Sequence, residues 1–154
     1  VGLGVLPVAP ALAVRQSKEE LMTQAKVIQK EVKQLTDGAV MAEADWETKD
    51  RLEAQREYNA LQSILKGGQL SQLRGTCFHL YRDHIVNAAQ YKQAEKAYKD
   101  MLVRVEKLNL LLLKASRDEL KSFEEIKAIQ PALKSFSEQL DVFVGVVETA
   151  FETA

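Results

Sequence analysis

Apolar residues fall on helical stripes along nearly the whole chain beyond residue 17. Leu21, Ala25, Ile28, Val32 and Leu35 follow one another at steps of four, three, four and three, which puts them on one helical face. Ser17 and Glu20 precede this stripe as an S-x-x-E capping box, in which hydroxyl and carboxylate each satisfy an orphan backbone N–H. Asp37-Gly38 supplies a stop for the first helix. Asp45 is the N-cap candidate for the second, immediately before Trp46. That helix is expected to run to Lys66, with Ala54, Tyr58, Leu61 and Leu65 on one face. Gly67-Gly68 breaks or bends it, and helical spacing resumes at Leu70, Leu73, Cys77 and Leu80. The expectation is a kink at the glycines and a turn near residues 87–90.

The third stretch carries the strongest pattern. Tyr91, Ala94, Tyr98, Met101, Val105, Leu108, Leu112 and Ala115 alternate steps of three and four without interruption, the seam of a left-handed bundle. The leucine run 110–113 predicts burial on more than one side at this end. A last stripe, Leu133, Phe136, Leu140, Phe143, Val147 and Ala150, follows Pro131. Pro131 is either the first residue of a fresh helix or a kink in a longer one starting near Ser116. No window alternates as a strand does. The stripes have nowhere to go except against each other, so the fold class is all-α: an up-and-down four-helix bundle over residues 17–154, with an extended apolar tail over residues 1–16.

Composition changes this picture little. The 154 residues suffice for one modest core. The charge balance of 21 basic to 22 acidic residues argues against nucleic acid as a ligand, since phosphate binding needs a basic surplus or stripe. No like-charge run is long enough for a polybasic membrane anchor. Residues 1–13, VGLGVLPVAPALA, are apolar and end in Ala11-Leu12-Ala13, as the tail of an export signal does, although a positive n-region is missing. The segment is too short and too interrupted by proline to span a bilayer.

Candidate chemistry is sparse, and the expectation is a protein that is not an enzyme and carries no cofactor or metal. His79 and His84 are five apart, whereas metal pairs on one helix need three or four. Cys77 is the only cysteine and reads as a small buried thiol. There is no Glu-x-x-His pair for a di-metal bundle and no haem-attachment signature. Met22, Met41 and Met101 read as core filler rather than axial ligands. Gly67-Gly68 lacks the strand and the Gly-Lys-Ser/Thr ending of a phosphate loop. Adjacent carboxylates such as Glu19-Glu20 and Glu124-Glu125 read as solvated. Trp46, the only tryptophan, reads as a plug for one bundle end, with a partner hot spot as the alternative.

From Ser17 onward the order of features resembles the PsbQ family of extrinsic photosystem II subunits. The matching features are the signal-like tail, the first amphipathic helix, Asp45-Trp46 opening the next helix, and the stretch 67–74, Gly-Gly-Gln-Leu-Ser-Gln-Leu-Arg. That stretch is similar to the family's short G-P-L-x-x-L-R segment, with Gln69 where proline often sits. Two further helices follow, the last with an aromatic and valine-rich seam over 136–147. The segment between Trp46 and Leu70 is longer than the family pattern. No cysteine lies near the N-terminus for lipidation, so the resemblance points to an algal or chloroplast branch rather than the lipidated cyanobacterial form.

The resemblance implies a non-catalytic subunit in the chloroplast thylakoid lumen, peripheral to the membrane and not spanning it. Such subunits dock on core antenna loops and on neighbouring extrinsic subunits, and help retain the calcium and chloride of the oxygen-evolving complex. The expected partner-binding residues are Val1, Leu3, Val5, Leu6, Pro7 and Pro10 in the tail, because an apolar tail needs a host surface. Arg51, Arg56, Lys66, Arg74 and Arg82 join them, because charge complementarity steers docking. The alternatives are the PsbQ-like lumenal subunit of the chloroplast NADH dehydrogenase-like complex, a cofactor-binding exported bundle, and a lipid-carrying helical protein with broad exposed apolar faces.

Overall fold

The computed structural model describes residues 16–153, so the tail calls on Val1, Leu3, Val5, Leu6, Pro7 and Pro10, and the Ala11-Leu12-Ala13 site, lie outside the described residues. Every regular element among the described residues is helical: α1 (Lys18–Glu47), α2 (Arg51–Gly67), a 3-10 turn (Gln69–Gln72), α3 (Leu73–His84), α4 (Ala88–Ser116), α5 (Phe123–Lys127) and α6 (Ile129–Glu152). The second rod is α2, the 3-10 turn and α3 end to end; α1, α4 and α6 are the other three.

Cross-rod contacts fix the topology. Early α1 meets late α6: Lys26 Nζ lies 3.0 Å from Glu148 Oε1, and Gln29 donates to Asp141 at 2.8 Å. Early α1 also meets α3, where the Thr76 hydroxyl donates to the Gln24 side chain at 2.8 Å. Early α2 meets late α4, with the Gln55 amide donating to the Ser116 carbonyl at 3.0 Å. In α4 against α6, Arg104 donates to the Ser135 carbonyl at 3.2 Å and Gln139 to the Ala97 carbonyl at 3.4 Å. All neighbours therefore run antiparallel, and α6 closes back on α1. This is the up-and-down all-α bundle that the four stripes require.

The predicted stripes line its core. Leu21, Ala25, Ile28, Val32 and Leu35 of α1 are buried, as are Leu133, Phe136, Leu140, Phe143 and Val147 of α6. Tyr81 centres an aromatic cluster, with ring centroids 5.2 Å from Tyr91, 5.3 Å from Tyr98, 5.7 Å from Phe78 and 6.4 Å from Phe143. These edge-on and tilted geometries suit the ring quadrupoles and bind α3, α4 and α6 together.

Helix ends depart from expectation. Asp37-Gly38 does not stop α1. The apolar stripe continues through Ala39, Ala42 and Trp46, all buried, and this packing outweighs the local cost of a mid-helix glycine, about 1 kcal/mol. Asp45 is consequently not an N-cap. It sits in the last turn of α1, and Trp46 closes that helix rather than opening the next. Lys49 then turns the chain in the left-handed region at φ 73°, and the true cap is Asp50, which accepts the Glu53 N–H at 3.3 Å.

The glycine break is as expected, a bend rather than a reversal. Glu31 of α1 holds it from outside: its carboxylate accepts the Gln69 N–H at 3.4 Å and the Leu70 N–H at 3.3 Å. The next turn comes slightly early. Ile85, Val86 and Asn87 form it, and Asn87 caps α4 by accepting the Gln90 N–H at 3.0 Å. Pro131 belongs to the first turn of a fresh helix, in the third position of α6, where its missing N–H costs nothing.

Two further expectations hold in part. In the leucine run Leu112 is buried and Leu111 and Leu113 are half-buried, so burial does extend beyond one side, but Leu110 is 51% exposed. The Ser17–Glu20 box is half formed. Ser17 Oγ accepts the Glu20 N–H at 3.1 Å, but the Glu20 carboxylate takes the Ser17 hydroxyl instead of its backbone N–H. A complete box forms at α5, where Ser122 and Glu125 cap each other. Glu125 is thus a capping group rather than one of a merely solvated pair.

Candidate functional site

The basic residues proposed for docking all lie on the outer surface of the second rod. From Arg51 to Arg82 they spread over about 45 Å of helix, so they form a line along one rod rather than a single patch. Intramolecular bonds engage most of them. The Arg51 guanidinium lies 3.9 Å from the centre of the Trp46 ring. Arg56 is 3.9 Å from Glu53, one turn back. Arg74 pairs with Glu106 across to α4. Arg82 lies 5.7 Å over the Phe78 ring. Only Lys66 makes neither an ion pair nor a ring contact among the described residues. It stands beside a small groove lined by Leu65, Leu70, Arg74, Val105 and Asn109, which the bend at the glycines opens between the second rod and α4.

A more convergent basic surface lies on α1. Lys26, Lys30 and Lys33 line one shallow depression with Thr23, Val27 and Gln29. The signal for it was the spacing of four and three along the solvated face of the first stripe, the same rule that finds a core face. Lys26 is partly neutralised by Glu148.

The end of the bundle near Trp46 is built differently. Trp46 is 8% exposed and stacks on Phe123 of α5, centroids 5.8 Å apart and planes 17° from parallel. Arg51 covers its other approach, and Lys127 lies 5.5 Å from the Phe123 centroid. This stack ties the α1–α2 turn to α5 and closes that end. Trp46 is thus a plug, and Arg51 is part of the plug before it is anything else.

Beside Trp46, acidic residues gather. Burial, and after it the negative charge of Asp45, Glu53 and Asp50, push the Glu57 carboxyl up to about 7, and Glu57 Oε2 is buried without a hydrogen-bond partner among the described residues. The neighbouring Tyr58 hydroxyl is buried without a hydrogen-bond partner, and burial raises its proton affinity, with Glu43 and Glu57 adding to the effect. Stripe reading places Tyr58 in the core, where it lies, but does not foresee that its hydroxyl is left unpartnered.

The histidines and the cysteine stay apart. His79 Nδ1 lies 2.9 Å from Asp83 Oδ2 on the surface, and His84 Nε2 lies 3.1 Å from the Gln16 carbonyl oxygen. Cys77 is fully buried, and desolvation pushes its thiol up to about 12, which leaves it unreactive. Among the described residues no group of three or more His, Cys, Asp or Glu is arranged to hold a metal ion, and no helix is long and apolar enough to cross a membrane. The chain matches no family model, no curated protein and no solved structure.

Proposed function

We propose that this chain is a non-catalytic extrinsic subunit of the PsbQ type, peripheral on the lumenal face of photosystem II. It docks on core antenna loops and other extrinsic subunits and helps the oxygen-evolving complex retain calcium and chloride. The observation that supports this reading best is the segment 67–74. It forms a discrete break in the second rod, clamped by Glu31, with Leu70 and Leu73 turned into the core and Arg74 turned out. The leucines and the arginine of the short family-like segment thereby take separate structural and surface roles. The bundle buries its apolar stripes internally, which supports a docking role for the charges left outside. An added rigid body that binds only the native form of its neighbours stabilises them by mass action.

The test is rebinding of the full chain to photosystem II core particles stripped of extrinsic subunits. Oxygen evolution is read at limiting calcium and chloride. The expected outcome is restored activity for the full chain, and weaker rebinding when residues 1–10 are removed. Lys66→Glu is expected to weaken rebinding by about 3- to 10-fold, with stronger salt dependence in the parent, as befits a charge that steers docking. No rebinding by the full chain defeats the proposal. Co-migration with the NADH dehydrogenase-like complex on native gels, in place of photosystem II, transfers the same docking role to that complex.

A further inference from the structure

We propose that the solvent face of α4 is a docking surface for an anionic lipid bilayer, on which the bundle lies lengthwise without entering the membrane. Lys92, Lys96, Lys99, Lys107 and Lys114 are all exposed, with Val103 and Leu110 between them. Along the chain the steps are four, three, four, four, three and four. At about 100° per residue these side chains fall within an arc of about 80°, and the stripe extends over about 33 Å of helix. Val103 is 70% exposed and Leu110 51%. No run of like charge marks the stripe in the sequence, because helical spacing keeps its lysines three or more residues apart.

Internal partners leave most of this charge free. Lys92, Lys96, Lys107 and Lys114 make no ion pair among the described residues, and Lys99 has only Glu95, 3.9 Å away and one turn back. The acids on the margins of the stripe are Asp100 and Glu106, and Arg74 of the second rod takes Glu106. The whole bundle is divided in the same sense. α4 carries six Lys or Arg against three Asp or Glu, and the second rod five against three, whereas α1 carries four against seven and α6 one against four. The two basic rods are neighbours, and so are the two acidic ones. A chain of net charge -1 therefore presents a positive side and a negative side. A negatively charged plane attracts the first and repels the second, which orients the bundle with α4 toward it.

The residue types select a lipid surface over a protein one. Every cation in the stripe is a lysine. Protein interfaces favour arginine, whose rigid fork matches fixed carboxylates, and are depleted in lysine. Headgroups in a fluid leaflet have no fixed register, and hydrated ammonium groups on long flexible stems can follow them. Val103 and Leu110 add apolar area at the level of those headgroups. The lysines of α1 lack this setting, because Lys26 is paired with Glu148 and the rod as a whole is acidic. The contact needs no protein partner, so it stands or falls independently of the photosystem reading.

Flotation of the full chain with lipid vesicles tests the surface. Phosphatidylcholine vesicles containing about 30% phosphatidylglycerol are expected to carry the chain at low salt, and pure phosphatidylcholine vesicles to carry about 10-fold less or lower still. Raising the salt from about 0.05 to about 0.3 M is expected to weaken binding by about 10-fold. Combining Lys96→Gln with Lys107→Gln is expected to weaken it by about 20-fold, and combining Lys30→Gln with Lys33→Gln on α1, the same change in net charge, by no more than about 2-fold. All four positions are exposed, so both double variants are expected to melt with the parent, which separates lost binding from lost folding. Absence of flotation overturns the inference, as does an equal loss in the two double variants. Equal binding to neutral and anionic vesicles also overturns it and assigns the contact to apolar residues instead. If poly-glutamate binds through Lys96 and Lys107 while the vesicles do not carry the chain, the occupant is an acidic protein and the lipid assignment falls.

Discussion

Truncating Trp46 to alanine is expected to destabilise the bundle by about 3–5 kcal/mol, the range for removing a large aromatic from a packed site. The ring is almost fully buried, stacked on Phe123 and covered by Arg51, and α5 has no other aromatic partner in that stack. Its loss leaves a cavity between the α1–α2 turn and α5, and strips Arg51 of its ring. Thermal or urea unfolding reads the effect directly. Arg51→Ala serves as the comparison. A cation over a ring contributes on the order of 1 kcal/mol at such a site, so this variant is expected to lose no more than about a third as much. If Trp46→Ala leaves stability unchanged but abolishes rebinding to core particles, the side chain is a docking anchor and the plug assignment fails.

What could be read in the sequence was periodic. Four stripes at steps of three and four identified the rods, because burying an apolar face is the largest favourable contribution to a helical fold. Nearly every stripe residue, from Leu21 to Ala150, is buried or packed against the core. Helix ends were less legible. The chain leaves α1 and α4 through Lys49 and Asp118, which adopt positive φ without being glycine, so the strongest turn signal is missing at both places. The glycines were half misleading. Gly67-Gly68 marks a real break, and Gly38 marks none.

The candidate surface was legible only residue by residue. Arg51, Arg56, Lys66, Arg74 and Arg82 were expected to be exposed, and they are. That Arg51 lies on Trp46 and Arg74 reaches Glu106 depends on how the second rod meets α1 and α4, which no local pattern states. Asp45 reads as the cap of the second helix, and only the unforeseen continuation of α1 beyond Gly38 puts it in the last turn of α1 instead.

That continuation makes Gly38 the second sensitive position. A Cβ built there would stand 2.6 Å from Leu61 Cδ2, closer than packed carbons tolerate, and Leu61 is itself buried in the face of α2 that meets α1. Gly38 is therefore kept for helix–helix distance, not for helix termination. Two effects oppose each other in Gly38→Ala. Helix propensity improves by about 1 kcal/mol, while Leu61 must leave its rotamer or α2 must shift. The net change is expected to stay within about 1 kcal/mol. In Gly38→Leu the propensity gain is slightly smaller, but three further carbons press on α2, and the expected net loss is about 2–3 kcal/mol. Urea unfolding of Gly38→Leu, of Leu61→Ala and of the double variant that combines them separates the causes. If crowding against Leu61 is the reason, the double variant recovers part of the loss, with a coupling of about 1 kcal/mol or more. Strict additivity would instead place the cost in the backbone of α1, and a stabilised Gly38→Leu would mean that α1 and α2 do not approach this closely.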